Sequence, residues 1–143
     1  MVDESVLREG LTRTLDDPLL DGFGPAQKGK VRNSYVRDGK RYIVTSDRIS
    51  AFDRVLGTIP FKGQVLNRMA AFWFEKTKDI VPNHLVATPD PAVMVVLDCA
   101  PMPVEMVVRA YITGSTSTSI WTHYAKGVRN FCGNPLPDGL RIH

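Results

Sequence analysis

Cysteine is scarce in this chain: Cys99 and Cys132 are the only two among 143 residues. They form no CxxC pair and match no zinc-ligand spacing, and His84, His123 and His143 stand apart from any cluster of cysteines or acids. A disulfide framework is therefore excluded, no metal motif is present, and the two thiols read as reduced and buried. No apolar run approaches the roughly 18 residues that a membrane span needs. The opening MVDESVLREG is acidic and has no apolar centre, unlike a secretory signal or an Arg-rich transit peptide, so the chain is expected in the cytoplasm with no membrane partner. The absence of any GxxxxGKS or GxxxxGKT excludes a Walker A loop. Aromatic residues amount to 8%. Of these, only Tyr35 and Tyr42 lie among the cations of the basic hairpin, too few to stack a run of bases, so nucleic acid is not the expected partner.

What is present is an ordinary globular balance, 43% apolar and 23% charged, in a length suited to one domain with its own core. The net charge of +3 conceals an asymmetry: residues 1–24 carry six acids and two bases, net −4, and the remainder is +7. A basic body calls for anionic partners, which charge alone does not name.

Residues 3–15 place Val6, Leu7, Leu11 and Leu15 near helical spacing, with Asp3 or Ser5 as cap. DDPLLDGFGPAQ reads as a loop. KVRNSYVR and KRYIVTS flank Asp38-Gly39, the strongest short hairpin signal. RVLGTIP is a further short strand. GQVLNRMAAFWFEKTKDI is helical, and its stripe of Val65, Leu66, Met69, Phe72, Trp73 and Ile80 reads as core packing. AVMVVLD and PVEMVVRAYI are two more strands, joined by a proline-rich bend from Cys99 to Pro103. STSTSIWTHYAKG reads as a helix capped by Ser115 and stopped by Gly127. The sum is an α+β fold on a mainly antiparallel sheet with flanking helices.

Three segments carry chemistry. Gly29-Lys30-Val31-Arg32 sets two cations on one side of an extended strand, beside a glycine that permits close backbone approach. That suits a polyphosphate, and it also suits a solvated edge hairpin. TSDRISAFD packs Asp47, Arg48, Ser50 and Asp53 into seven residues: either a site for an amine and an anion, or a turn satisfied by its own backbone. In PVEMVVRAYITGS, Glu105 and Arg109 share one strand face and Val104, Met106 and Val108 the other, with Ser115 at a helix start that could seat a phosphate. His84 and His123 read as a loop cap and a surface helix residue.

Taken in order, GKVRNSY, IVTSDRISAFD, IPFKGQVLNRMAAFWF, IVPNHL and MPVEMVVRAYITGS resemble the SAICAR synthetase family, the phosphoribosylaminoimidazole-succinocarboxamide synthases, over about residues 27–140. The resemblance implies an N-terminal lobe similar to a protein-kinase small lobe, here residues 1–143, ahead of a larger lobe that completes the ATP and Mg²⁺ site. It implies an ATP-dependent C–N ligase of purine biosynthesis, joining L-aspartate to carboxyaminoimidazole ribotide. ATP would meet Gly29, Lys30, Val31 and Arg32, with Tyr42, Ile43 and Val44 enclosing it and the Ala100–Met102 connector passing the adenine edge. Substrate would meet Asp47, Ser50, Asp53, Lys62, Arg109 and Ser115.

The chain departs from the family pattern in three places. Asn33 stands where many relatives have Asp, GSTSTS replaces the shorter GSGW of some, and the second signature, of DxKxEFG type, does not occur in these residues. That signature carries, by resemblance, the acids that hold Mg²⁺, so the chain by itself is expected to be inactive. A non-catalytic nucleotide- or partner-binding remnant of such an enzyme, or a basic nucleic-acid module, are the alternatives from other classes.

Overall fold

A computed structural model describes residues 3–104, 108 and 110–142. The chain forms two compact units, one ending at Ala100 and the other beginning at Pro101.

The first unit is built on five antiparallel strands. In chain order these are β1 (Gln27–Lys28), β2 (Arg32–Arg37), β3 (Lys40–Thr45), β6 (Leu85–Asp90) and β7 (Val93–Leu97), arranged β1-β2-β3-β7-β6. A separate hairpin pairs β4 (Arg48–Ala51) with β5 (Arg54–Thr58). Two helices complete the unit, α1 (Glu4–Gly10) and α2 (Lys62–Thr77).

The β2–β3 hairpin forms as expected. Asp38 and Gly39 take φ of 52° and 70°, the two successive left-handed residues of a type I′ turn, and Arg37 pairs with Lys40. Asp3 caps α1 by accepting from Ser5 N at 2.9 Å. β4 and β6 were not anticipated. β4 lies in the segment expected to be a site or a turn, and Pro89 disguises β6, which tolerates a proline because it is the sheet's edge and its register is irregular.

The two faces of the sheet are covered differently. Strand alternation sends Asn33, Tyr35, Tyr42, Val44 and Val95 one way, and Arg32, Ser34, Arg41, Ile43, Thr45 and Met94 the other. The first set meets the loop after α1: Phe23 packs edge-on against Tyr42 at 4.7 Å and Tyr35 at 6.0 Å, and the Tyr35 hydroxyl accepts from Leu20 N at 2.9 Å. Tyr35, Val44 and Val95 are buried there. The second set meets α2 across a cavity of about 260 Å³ whose lining includes Asn67, Ala70 and Phe74.

The aromatic stripe of α2 is not core. Gly63 and Asn67 are its buried residues, and Val65, Met69, Phe72 and Trp73 remain 52–58% exposed. The buried face is chosen at Gly63, where a Cβ would stand 2.3 Å from Thr45 O. Only a glycine allows the helix so close to the end of β3, and that contact rotates the stripe away from the sheet.

The second unit holds α3 (Ile120–Ala125) and a hairpin of β8 (Asn130–Phe131) and β9 (Asn134–Pro135). Ser119, not Ser115, caps α3, its hydroxyl lying 3.4 Å from Thr122 N. Gly127 at φ 91° follows the helix as expected. The strand anticipated over PVEMVVRAYI does not form among its described residues: Val104, Val108, Ala110, Tyr111 and Ile112 are irregular. Glu105, Met106 and Arg109 lie outside the described residues. Both cysteines are exposed, not buried: Cys99 follows β7, and Cys132 occupies the β8–β9 turn with φ 51°.

Candidate functional site

The Gly29–Arg32 segment is a tight turn between β1 and β2, closed by Gly29 N donating to Arg32 O at 2.7 Å. Lys30 is therefore in the turn and does not alternate with Arg32 along a strand. Three neighbours hold the turn in place. Ser46 donates to Val31 O through both its amide, at 3.0 Å, and its hydroxyl, at 2.9 Å. Arg48 donates to Gly29 O at 3.3 Å, to Asn33 Oδ1 at 3.2 Å and to Ser46 Oγ at 2.9 Å. Lys30 forms an ion pair with Asp53 at the tip of the β4–β5 hairpin, and this partner holds the Asp53 carboxyl below its ordinary value.

Beneath the turn, Asn33 is fully buried and donates to Asp17 Oδ1 and Pro18 O, both at 2.8 Å. Lys28 pairs with Asp17, which is held low by Lys28 first and by Asn33 second. The amide of position 33 is thus a link between β2 and the loop below it. A carboxylate there could not make either donation.

Beside the turn lies a cavity of about 310 Å³ walled by Gly29, Arg32, Ser34, Arg41 and Ile43, together with Gln27 and Lys28 of β1. Arg32 and Ile43 also border the cavity under α2. Among the described residues no side chain pairs with the Arg32 guanidinium. Tyr42 and Val44 lie on the opposite face, so they do not wall this cavity as the resemblance suggested; the two-residue period of the strand separates them from Ile43.

The other anticipated residues are spread over the two units. Asp47 is buried, with Oδ2 accepting from Leu15 N and Oδ1 from Gly63 N, both at 2.8 Å. Both oxygens thereby serve the backbone, tying the loop after α1 to the first turn of α2. Ser50 is half-buried in β4, and Lys62 opens α2. Ala100 closes the first unit, and Met102, in the second, is exposed. Ser115 lines a pocket of about 780 Å³ within the second unit, in company with the hydroxyl residues Thr113, Thr116, Thr118 and Ser119. Arg109 is outside the described residues.

Residues 25–141 match the family model described as SAICAR synthetase. The chain belongs to the SAICAR synthetase family. It is 57% identical over 119 residues to the phosphoribosylaminoimidazole-succinocarboxamide synthase of Legionella pneumophila (strain Lens), a match covering 83% of this chain and 38% of that protein. It is 48% identical over 140 residues to the chloroplastic enzyme of Vigna aconitifolia, covering 98% of this chain and 41% of the relative. Among solved structures, the SAICAR synthase from Saccharomyces cerevisiae complexed with SAICAR superposes with a TM-score of 0.75 at 32% identity, over 90% of this chain and half, 50%, of the other. The chain thus spans half or less of the SAICAR synthetases it matches, and its α+β architecture is theirs.

Long-range polar links set the geometry of this site, and they are not encoded in local sequence pattern. Arg48 was noticed as an anion holder, yet its donors are directed to protein acceptors. Arg41 went unassigned. A cation on the same face of β3 as Ile43, two residues before it, is the signal in the sequence.

Proposed function

We propose that this chain is the N-terminal, nucleotide- and ribotide-holding part of a SAICAR synthetase. The whole enzyme would join L-aspartate to carboxyaminoimidazole ribotide with consumption of ATP. The observation that supports the nucleotide site is the pinned Gly29–Arg32 turn with the Arg32 guanidinium left for a ligand. A turn anchored by Ser46 and Arg48, beside a cavity and carrying cations, is preorganised for phosphate oxygens.

In this reading the ribotide carboxylate attacks the γ-phosphate of ATP, giving an acyl phosphate and ADP. The aspartate amine then adds to the acyl carbon, loses a proton and expels phosphate. Arg32, with Lys30 released from Asp53, neutralises phosphate charge. Gly29 lets the backbone approach closely, and Ile43 packs against the nucleotide. Ser115 and its neighbouring hydroxyls offer donors to the phosphate and sugar of the ribotide. The yeast relative is complexed with SAICAR, which supports a ribotide site in the whole enzyme. Ser50, Asp53 and Lys62 would contact substrate from the first unit, and Asp47 holds the first turn of α2 next to Lys62 through Gly63 N. Mg²⁺ is implied by the family, but the described residues include no group of three acids, cysteines or histidines placed to hold a metal ion.

The test is titration of the purified chain with ADP. Lys30→Ala and Arg32→Ala each remove one charge-assisted contact of about 1.5–3 kcal/mol, so affinity falls by roughly 10- to 100-fold. Unchanged affinity in both variants would leave the turn a solvated hairpin.

A further inference from the structure

Ser46, Asp47 and Arg48 carry the chain from β3 into β4, and their polar groups reach other segments of the first unit. Asp47 is the fixed point. Its carboxylate accepts from Leu15 N and Gly63 N, both at 2.8 Å, its amide donates to Leu15 O at 2.7 Å, and its carbonyl accepts from Ile59 N at 2.9 Å. Arg48 projects from that base to the Gly29–Arg32 turn. Its Nε donates to Ser46 Oγ at 2.9 Å, and its Nη2 donates to Gly29 O at 3.3 Å and to Asn33 Oδ1 at 3.2 Å. Ser46 is fully buried, and its hydroxyl passes the link on to Val31 O at 2.9 Å. One guanidinium therefore holds the residues on both sides of Lys30 and the residue after Arg32.

The side from which Arg48 works decides its role. Arg32 and Asn33 are successive residues of β2, so they face opposite sides of the sheet, and Arg32 is exposed where Asn33 is buried. Arg32 helps to wall the cavity of about 310 Å³ beside the turn, a wall to which Arg48 does not belong. Arg48 meets Asn33 on the other face. Its three acceptors are a carbonyl, an amide oxygen and a hydroxyl, all neutral. What it supplies is geometry: two nitrogens of one rigid plane, set on acceptors from three segments.

We propose that Arg48 is a positioning residue for phosphate binding, an assignment that rests on the nucleotide reading above. It sets the turn that carries Lys30 and Arg32 and does not touch the ligand. A lysine here keeps the charge, but its single nitrogen on a flexible stem does not span the three acceptors. The turn, closed by Gly29 N on Arg32 O at 2.7 Å, then loosens, and its cations must be ordered when phosphate binds, a cost subtracted from affinity.

The experiment follows the purified chain by NMR with inorganic pyrophosphate as the probe. In the unsubstituted chain, pyrophosphate moves the Arg32 Nε–H resonance and leaves that of Arg48 in place, an arm that needs no variant to fold. Arg48→Lys lowers pyrophosphate affinity about tenfold. It also speeds hydrogen exchange at the Gly29 and Ser46 amides about tenfold, while the Leu97 amide, bonded to His84 O at 2.8 Å, keeps its rate. Ser46→Ala, which removes only the hydroxyl link to Val31, gives the same local exchange pattern with a smaller loss of affinity. Full affinity in Arg48→Lys would reduce Arg48 to a carrier of charge and overturn the proposal. Faster exchange at Leu97 equal to that at Gly29 would make its role one of general stability, and an Arg48 resonance that moves with that of Arg32 would make it a direct ligand; either overturns the proposal too. If the unsubstituted chain does not bind pyrophosphate, the nucleotide reading itself fails, and the exchange rates still decide whether Arg48 holds the turn.

Discussion

Replacing Gly63 by alanine tests the contact that orients α2. The added Cβ would sit 2.3 Å from Thr45 O and 3.0 Å from both the carbonyl carbon and the oxygen of Ser46, all of them backbone atoms. Ordinary contact begins at 3.4 Å, so the first turn of the helix must retreat by about 1 Å. That retreat stretches the 2.8 Å bond from Gly63 N to Asp47 Oδ1. Overpacking costs about 1–3 kcal/mol, and weakening a hydrogen bond to a charged acceptor costs up to about 1.5–3 kcal/mol. Alanine's better helix propensity returns at most about 1 kcal/mol. The expected net loss is about 2–4 kcal/mol, a fall in Tm of roughly 10 °C for a chain of this size. Urea and thermal unfolding of the purified chain read it directly. Gly57→Ala is the internal control, since a Cβ there meets nothing within 4 Å, and it should shift stability by less than about 0.5 kcal/mol. If Gly63→Ala unfolds at the same urea midpoint as its parent, the close approach does not set the helix position and the argument fails.

Four shorter predictions accompany it. Asn33→Asp removes the donors to Asp17 and Pro18 at a fully buried position; it should destabilise by about 1–3 kcal/mol in urea despite the carboxylate common in relatives, and an unchanged midpoint would show that the Asn33 links are dispensable. Because Lys30 depresses the Asp53 carboxyl, the pair's contribution is fully present above the ordinary value of 3.8 and is lost as pH falls through the lower folded-state value; Lys30→Ala should return the Asp53 titration, followed by carboxyl-carbon NMR, upward toward 3.8. The exposed Val65, Met69, Phe72 and Trp73 face should make the purified chain self-associate in sedimentation, and the double change Phe72→Glu, Trp73→Glu should abolish that; a monomer at high concentration before any substitution refutes it. Purified alone, the chain should make no SAICAR from ATP, aspartate and the carboxylated ribotide, and turnover above a no-enzyme control would show that these residues suffice.

Local chemistry in the sequence determined much of this protein. Asp38-Gly39 can hardly avoid a type I′ turn, Asp3 caps the helix that follows it, and the run from Gly29 to Ser115 carries the family's motifs in order. These depend on neighbours a few residues away, which a linear reading sees. The tertiary structure decided the rest. Apolar spacing identified α2 but not its buried face, because the choice is made by Gly63 meeting Thr45, 18 positions earlier in the chain. Asp47 reads as a site carboxylate in the sequence, and only the fold puts its oxygens within reach of Leu15 N and Gly63 N. Arg41 looked like one basic residue among many until Gln27, Ser34 and Asp98 closed around its edge. In each case a polar or close-packed group is satisfied by a partner 7 to 57 residues distant, and no local periodicity encodes which distant acceptor the folded sheet will bring within reach.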